Sequence, residues 1–316
     1  MDYPRDTRIL VTGGGGLLGT ALRSALQAAG FSHVEAPPRS DLDLQSSVMT
    51  RAYLERSEPE CVIHLASIVF GLLGNMSNQF RSLAATTEMN SNLFGALHEC
   101  RSLKRVFFSG TVASYPYPYK KLPLVEADFF DGLPHSGEFG YATAKRHAYS
   151  YLRILADDLG VPFTYGILTN LYGERDRFDP LAGHVIPSLV AKAYQARATG
   201  SDLSVWGSSD TMRDFLYAGD AASAVIHCLD QEVTGLVNIS SGQGTSIGDV
   251  ARTLAKIAGI SSIDFDTSKP VGIPNRLVDN AKLLATGFLP RVSISEGLSR
   301  TFDWYAQNIE TGRVRQ

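Results

Sequence analysis

The chain has 316 residues, of which 44% are hydrophobic and 19% charged; this is enough apolar material for one large α/β unit or two domains, and it excludes a wholly disordered chain. Lys plus Arg (29) nearly balance Asp plus Glu (32), so the global basic field of a nucleic-acid binder is missing, while a local anion site is still allowed. Cys61, Cys100 and Cys228 have no paired spacing, which excludes a disulfide scaffold and argues against zinc, so no metal is expected; a charged start and no apolar run of about 18 residues point to a soluble cytoplasmic protein without a membrane partner.

In chain order, residues 8–12 read as a short buried strand that runs into four consecutive glycines. Leu18, Ala21, Leu22 and Leu26 then recur at helical spacing and predict a helix over 17–29. Strands are predicted at 33–36, 61–65, 105–108 and 163–167, with helices around 46–57, 78–101 and 141–159 between them. Such alternation implies a doubly wound parallel sheet covered on both faces. Beyond 168 the pattern loosens into a polar loop at 174–183, a helix to about 198, strand and helix over 213–240, and helices near 246–258 and 295–308. The expected α/β organisation is a Rossmann domain of residues 1–168 and 217–240, with a smaller α/β substrate-binding domain of 169–216 and 241–316.

The glycine cluster contains Gly13-x-x-Gly16-x-x-Gly19 between a strand and an amphipathic helix. In such a turn the first glycine allows the tight bend, the second lets backbone approach a pyrophosphate, and the third lets helix pack on strand. The helix beginning there aims free N–H groups and a positive dipole end at the phosphates, so a dinucleotide is expected. A ribose 2′-hydroxyl calls for an acid at the end of the second strand and a 2′-phosphate calls for Arg. Glu35 comes slightly early there and Arg39 follows the Pro37-Pro38 pair, so Arg39 is read as a 2′-phosphate ligand and the cofactor as NADP(H). Asp41 is then placed for the adenine amino group.

Tyr141 and Lys145 stand four residues apart on one face of a helix. An ammonium beside a phenol lowers the phenol pKa, and the Tyr then handles a proton during carbonyl–carbinol chemistry. Lys145 is also suited to holding the nicotinamide ribose.

With His64-Leu65-Ala66, Asn92, Thr111, Arg213-Asp214-Phe215 and Asp220 added to the glycine turn and the Tyr–Lys pair, the chain resembles the extended short-chain dehydrogenase/reductases of the nucleotide-sugar epimerase/dehydratase group. Val69-Phe70-Gly71, Tyr115-Pro116, Thr169-Asn170-Leu171-Tyr172-Gly173, Gly183-His184-Val185-Ile186-Pro187 and Val205-Trp206-Gly207 bring it nearest to the GDP-L-fucose synthase-like GDP-4-keto-sugar reductases. The resemblance implies a cofactor wall of Gly13, Gly16, Leu17, Gly19, Leu65, Ala66, Lys145 and Asn170, the last expected after a sixth strand. It implies Tyr141, Lys145, Thr111 and His184 as catalytic residues. Arg213, Arg276 and Lys192 are implied for the diphosphate, with Asn170, His184 and Val185 on the GDP-sugar. Each of these cations could instead be an exposed surface residue, and His184 could simply fill a loop. Trp206 either lines the nucleotide pocket or fills the core, and Asp220 is expected to brace an Arg or backbone. A homodimer through the helices of Asn92 and Tyr141 is implied as well, with Leu93, Phe94 and Leu97 offering apolar surface unless the protomer's own core takes them.

One position departs from the family pattern. The family's epimerisation Cys falls two residues after Thr111, where this chain has Ala113, and a methyl group cannot remove a proton from the carbon next to a ketone. The expected function is therefore an NADPH-dependent C4-ketoreductase without epimerase activity. Two alternatives stand beside it: a bifunctional 3,5-epimerase/4-reductase using another base, and a non-catalytic dinucleotide sensor, which would usually have lost the Tyr–Lys pair.

Overall fold

The computed structural model describes residues 3–181, 183–268 and 272–315, the side chains of Leu72 and Leu73 excepted; Met1 and Asp2 of the charged start and Ala182 of the polar loop fall outside it. The first half builds β1 (Ile9–Thr12), α1 (Leu17–Ala28), β2 (Val34–Glu35), α2 (Ser47–Ser57), β3 (Cys61–His64), α3 (Leu72–Ser77), α4 (Gln79–His98), β4 (Arg105–Thr111), α5 (Phe139–Leu159) and β5 (Phe163–Leu168). The second half adds β6 (Asn170–Tyr172), α6 (Val185–Thr199), β7 (Leu203–Trp206), β8 (Met212–Tyr217), α7 (Ala218–Asp230), β9 (Gly235–Ile239), β10 (Gly244–Ser246), α8 (Ile247–Ala258), β11 (Ile263–Asp266), β12 (Asn275–Arg276), α9 (Ala281–Leu284) and α10 (Ile294–Asn308).

Six parallel strands form the main sheet in the order β2-β1-β3-β4-β5-β9. The order reverses between β1 and β3, and such switch points open a crevice beyond the carboxyl ends of the strands. Asn170 follows β5, the fifth strand in chain order, and the sixth strand of this sheet is β9. β4 runs three residues further than its apolar stretch predicts, because Ser109, Gly110 and Thr111 continue the ladder with Gly166, Ile167 and Leu168. That extension carries Thr111 to the crevice.

Both faces of the sheet are covered. Leu54 of α2, Leu93, Phe94 and Leu97 of α4 and Leu152 and Leu155 of α5 pack on one side. Leu18, Leu22 and Leu26 of α1 and Val225 and Leu229 of α7 pack on the other, joined by Leu283 and Phe288 from near the end of the chain. Leu93, Phe94 and Leu97 are 0–1% exposed, so they are spent in the protomer's own core and offer no surface to a partner. A second core gathers α6, α8 and α10 around β7 and β8, with Ile186, Val190, Val205, Leu254 and Phe302 at its centre. Asp220 braces backbone, accepting from Arg291 N and Val292 N at 2.9 and 2.8 Å. Among the described residues no helix is long and apolar enough to cross a membrane.

The β1–α1 junction sets a tight tolerance at the floor of the crevice. A Cβ on Gly19 would lie 2.3 Å from the Gly13 carbonyl oxygen, whereas one on Gly15 would meet nothing within 4 Å. Overpacking against backbone costs about 1–3 kcal/mol or more. Gly19→Ala is expected to lower the Tm by several degrees while Gly15→Ala leaves it near that of the parent, as thermal unfolding followed by circular dichroism would show.

Candidate functional site

A cavity of about 940 Å³ opens beyond the carboxyl ends of the strands and runs between the two cores. Its floor is the glycine turn. Gly13 has φ +73°, and a Cβ there would sit 2.7 Å from Ala66 N, so strand, turn and the segment after β3 meet backbone to backbone. The turn ends at Gly16, which leaves α1 with no side-chain cap and no acid in its first turn. Uncapped amides over an open glycine surface suit a phosphate group. The residues present therefore fit a dinucleotide. Leu17, Leu65, Ala66, Arg39 and Asn170 line the same cavity.

Asp41 does not line it. Its side chain is exposed and accepts from Ser40 Oγ at 2.9 Å, and the acid in the wall is Asp43. The two-residue offset follows from the turn after Pro38, where Asp41 N and Leu42 N both bond Pro38 O and Leu42 tucks into the core. Asp43 is held below the usual carboxylate range by the Gln45 N–H and by Arg39, whose Nη2 lies 3.1 Å from Asp43 Oδ2 and 2.9 Å from Gln45 Oε1. The Arg39 side chain is 72% exposed, so its guanidinium remains open to a phosphate. Glu35 at the end of β2 accepts the Tyr53 hydroxyl at 2.6 Å and is absent from the wall. The acid that would take a ribose 2′-hydroxyl is thus turned away.

Thr111, Tyr141 and Lys145 all line the middle of the cavity. The Tyr141 phenol is pushed up to about 12, first by burial and further by the Glu138 carboxylate, while the Thr111 and Ser67 hydroxyls pull the other way. The expectation that Lys145 lowers this phenol is not met. Lys145 is 2% exposed and donates to Ser109 O at 2.8 Å and Ser109 Oγ at 3.3 Å, with Nζ 4.9 Å from the Phe108 ring centroid. Burial pushes the ammonium down to about 7, so its charge near neutral pH is only partial.

A buried network sets where α5 stands. His64 accepts from Thr12 Oγ1 at 2.6 Å and donates to Asn90 Oδ1 at 3.1 Å, while Asn90 Nδ2 donates to Ala144 O, one residue before Lys145. Burial, aided by Lys145, drives the His64 pKa down to about 3, so the ring is neutral and bears the single N–H this pattern needs. Asn92, singled out in the sequence, instead donates to Leu44 O at 2.8 Å.

The far end of the cavity is built from the second core. His184 sits just before the first turn of α6, with no side-chain capping bond, and lines the wall with Val185, Arg213 and Arg276. The surrounding walls and Arg177 hold the His184 imidazole below its ordinary pKa against the pull of Glu138. Arg276 is buried, donates from Nε to Tyr119 Oη at 2.8 Å, and pairs through both terminal nitrogens with Glu138. Arg213 stands beside it in the parallel β8–β12 register and donates to Met212 O and Pro274 O. Burial and then Arg276 lower the Arg213 guanidinium to about 10. Two neighbouring guanidiniums offset by one carboxylate form a fixed positive locus.

Lys192 and Trp206 are not in the wall. Lys192 Nζ sits 4.2 Å from the Trp206 ring centroid, and both residues lie outside the cavity lining. Ala113 does line it, 5% exposed just past Thr111. The thiols lie elsewhere: Cys61 and Cys228 are sealed in the core at 0% exposure, and Cys100 contacts Ser102 Oγ and Pro59 O. Sequence reasoning missed Ser109, Asn90, Glu138, Asp176 and Arg315. Glu138, three residues before Tyr141, could have been noticed by proximity; the others carry no local signal.

The sequence pattern of the NAD dependent epimerase/dehydratase family matches residues 9–240. GDP-L-fucose synthase 1 of Arabidopsis thaliana is 30% identical over 309 residues, covering 96% of this chain and 95% of that protein. The crystal structure of a GDP-L-fucose synthetase from Naegleria fowleri bound to NADP superposes with a TM-score of 0.89 at 29% identity, over 99% of this chain and 96% of that one. A GDP-6-OMe-4-keto-L-xylo-heptose reductase from C. jejuni shares the fold, with a TM-score of 0.89 at 23% identity over 98% of this chain and 100% of that one. A match across most of the chain, on a site with an uncapped glycine turn and with Tyr141 and Lys145 in its wall, means that the chain belongs to the NAD dependent epimerase/dehydratase family, as an extended short-chain dehydrogenase/reductase of the GDP-L-fucose synthase type.

Proposed function

We propose that this enzyme is an NADPH-dependent C4-ketoreductase of a GDP-4-keto-deoxy sugar, hexose or heptose, and that it performs no 3,5-epimerisation. The observation that carries the reading is Ala113: a methyl group occupies the cleft wall beside Thr111, and no cysteine lines that wall among the described residues. Inverting C3 or C5 requires a base that removes a weakly acidic proton next to the ketone. Of the carboxylates in the wall, Glu138 is engaged by Arg276. The GDP-L-fucose and GDP-L-colitose synthases among the relatives support the substrate class.

When bound, the reduced nicotinamide supplies a hydride to the C4 carbonyl. The chain's own residues then manage the proton and the pose. Tyr141, with its pKa raised to about 12, keeps its phenolic proton throughout the physiological range and so is an acid ready for the oxygen at C4. Thr111 offers a hydroxyl next to it, and Lys145 a cation whose partners are otherwise Ser109 alone among the hydrogen bonds seen. Arg213 and Arg276 give the diphosphate a fixed positive surface, and His184 and Asn170 offer polar contacts between the two ends. Arg39 is assigned to the 2′-phosphate. The same reading includes a cytoplasmic homodimer through α4 and α5, whose exposed apolar side chains are Phe80, Phe139, Ile154 and Leu159.

Tyr141→Phe is expected to cut the rate of NADPH oxidation by roughly 10²–10⁴ while leaving NADPH affinity in fluorescence titrations unchanged; retained turnover would remove Tyr141 from its role. Reduction of GDP-4-keto-6-deoxymannose in deuterated water should leave protium at C3 and C5 by NMR, and solvent deuterium there without a helper enzyme would establish the bifunctional alternative. Buried Lys145 also makes a stability prediction. Its pKa falls from 10.5 to about 7 on folding, so the unfolded chain binds the proton more tightly between those values and stability rises with pH across that window. Lys145→Met should therefore raise the Tm most at about pH 6 and lose that gain by about pH 10.5; a gain independent of pH would trace to packing instead.

A further inference from the structure

The glycine turn that forms the floor of the cavity carries no charged side chain of its own from Gly13 to Leu18. A dinucleotide pyrophosphate is doubly anionic, and uncapped amides meet such charge only in part. The arginines and lysine in the cavity wall are Arg39, Lys145, Arg177, Arg213, Arg276 and Arg315. Five of them are committed elsewhere. Arg39 is assigned to the 2′-phosphate, Lys145 bonds Ser109, Arg177 pairs with Asp179 at 3.3 Å, and Arg213 and Arg276 stand at the opposite end. Arg315 reaches the turn itself, with Nη1 3.3 Å from the Gly15 carbonyl oxygen, across 300 residues of chain.

The placement of Arg315 is built. Phe178 N donates to Arg315 O at 2.8 Å, and residues 177 and 315 form a parallel bridge. One residue before that bridge lies Asp176, 6% exposed and in the cavity wall; its Oδ1 accepts Arg177 N at 2.7 Å and its Oδ2 has no hydrogen-bond partner. Arg315 acts on this carboxyl electrostatically, and burial outweighs that attraction. The loop after β6 thus fastens the 312–315 segment by its backbone and leaves the guanidinium over Gly15, at the one stretch of turn where a side chain would meet open space.

We propose that Arg315 is the pyrophosphate cation of the dinucleotide site, supplied to the turn from the distal end of the same chain and held there by residues 176–178. This rests on the dinucleotide reading above and extends it to a residue outside the matched family region, which ends at 240. A guanidinium has five N–H donors, so one bond to Gly15 O leaves others for phosphate oxygens. Because the pyrophosphate is common to NADH and NADPH, Arg315 serves both alike, whereas Arg39 serves the 2′-phosphate.

The test is equilibrium titration of NADPH and NADH, by nucleotide fluorescence, into the parent protein, Arg315→Gln, Arg315→Lys and Arg39→Gln, with Tm measured for each. Arg315→Gln is expected to raise both Kd values by the same factor, roughly tenfold to a hundredfold, with Tm unchanged and partial recovery in Arg315→Lys. Arg39→Gln should weaken NADPH alone. A loss confined to NADPH in Arg315→Gln would move Arg315 to the 2′-phosphate, and no loss for either nucleotide would reduce it to a surface tether; both overturn the proposal. If the parent protein bound neither nucleotide, the cofactor reading itself would fall, a separate result.

Discussion

The close crossing of three backbones at the β1–α1 junction governs the rest of this molecule. A side chain on Gly19 would drive into the Gly13 carbonyl at 2.3 Å, and one on Gly13 into Ala66 N at 2.7 Å. The contact lets α1 start directly over the sheet edge, so its first amides face the crevice rather than solvent or a capping side chain. Because β1 and β3 flank that crevice, the same contact fixes the segment after β3 and, through the Thr12–His64–Asn90 chain, the helix bearing Lys145. The glycine turn and the helix carrying Tyr141 and Lys145 are therefore tied together through Ala144.

Charge is managed by burial more than by number. A net charge of −3 gives no long-range field, yet the cavity wall holds a buried lysine, two adjacent arginines and, besides Asp43, the carboxylates of Glu138 and Asp176. Each has a different solution to desolvation. Lys145 becomes half neutral, Arg276 takes Glu138 as partner, Arg213 leans on backbone carbonyls, and Asp176 rises to about 7 with one oxygen unpaired. An enzyme for a polyanionic dinucleotide and a diphosphate substrate needs fixed positive charge that opens toward the ligand. Arg213, whose hydrogen bonds go to backbone carbonyls, can provide it without a competing carboxylate.

The strand–helix alternation was legible because buried parallel strands and amphipathic helices leave periodic marks over short windows, and the elements predicted from β1 to β5 appear to within a few residues of their places, with the short α3 (Leu72–Ser77) unforeseen. β4 ran long because its last three residues pair with β5, a long-range contact that no local apolar run records. Leu93, Phe94 and Leu97 looked available to a partner because helical spacing marks an apolar face without saying what covers it; the sheet does. Asp41 and Asp43 differ by two positions after a Pro-Pro turn, and only the folded turn decides which one faces the cleft.

Sequence by itself determined the turn, the Tyr–Lys spacing and the missing thiol at Ala113, since each is a matter of residue identity at short separation. Tertiary structure decided the electrostatic state of those groups. Lys145 acts on Ser109 rather than on the Tyr141 proton, Lys192 and Trp206 pair with each other away from the cavity, and Arg315 comes to Gly15 from the other end of the described chain. Burial and long-range packing set pKa values and bring distant cations together, and neither quantity is carried by any local stretch of sequence.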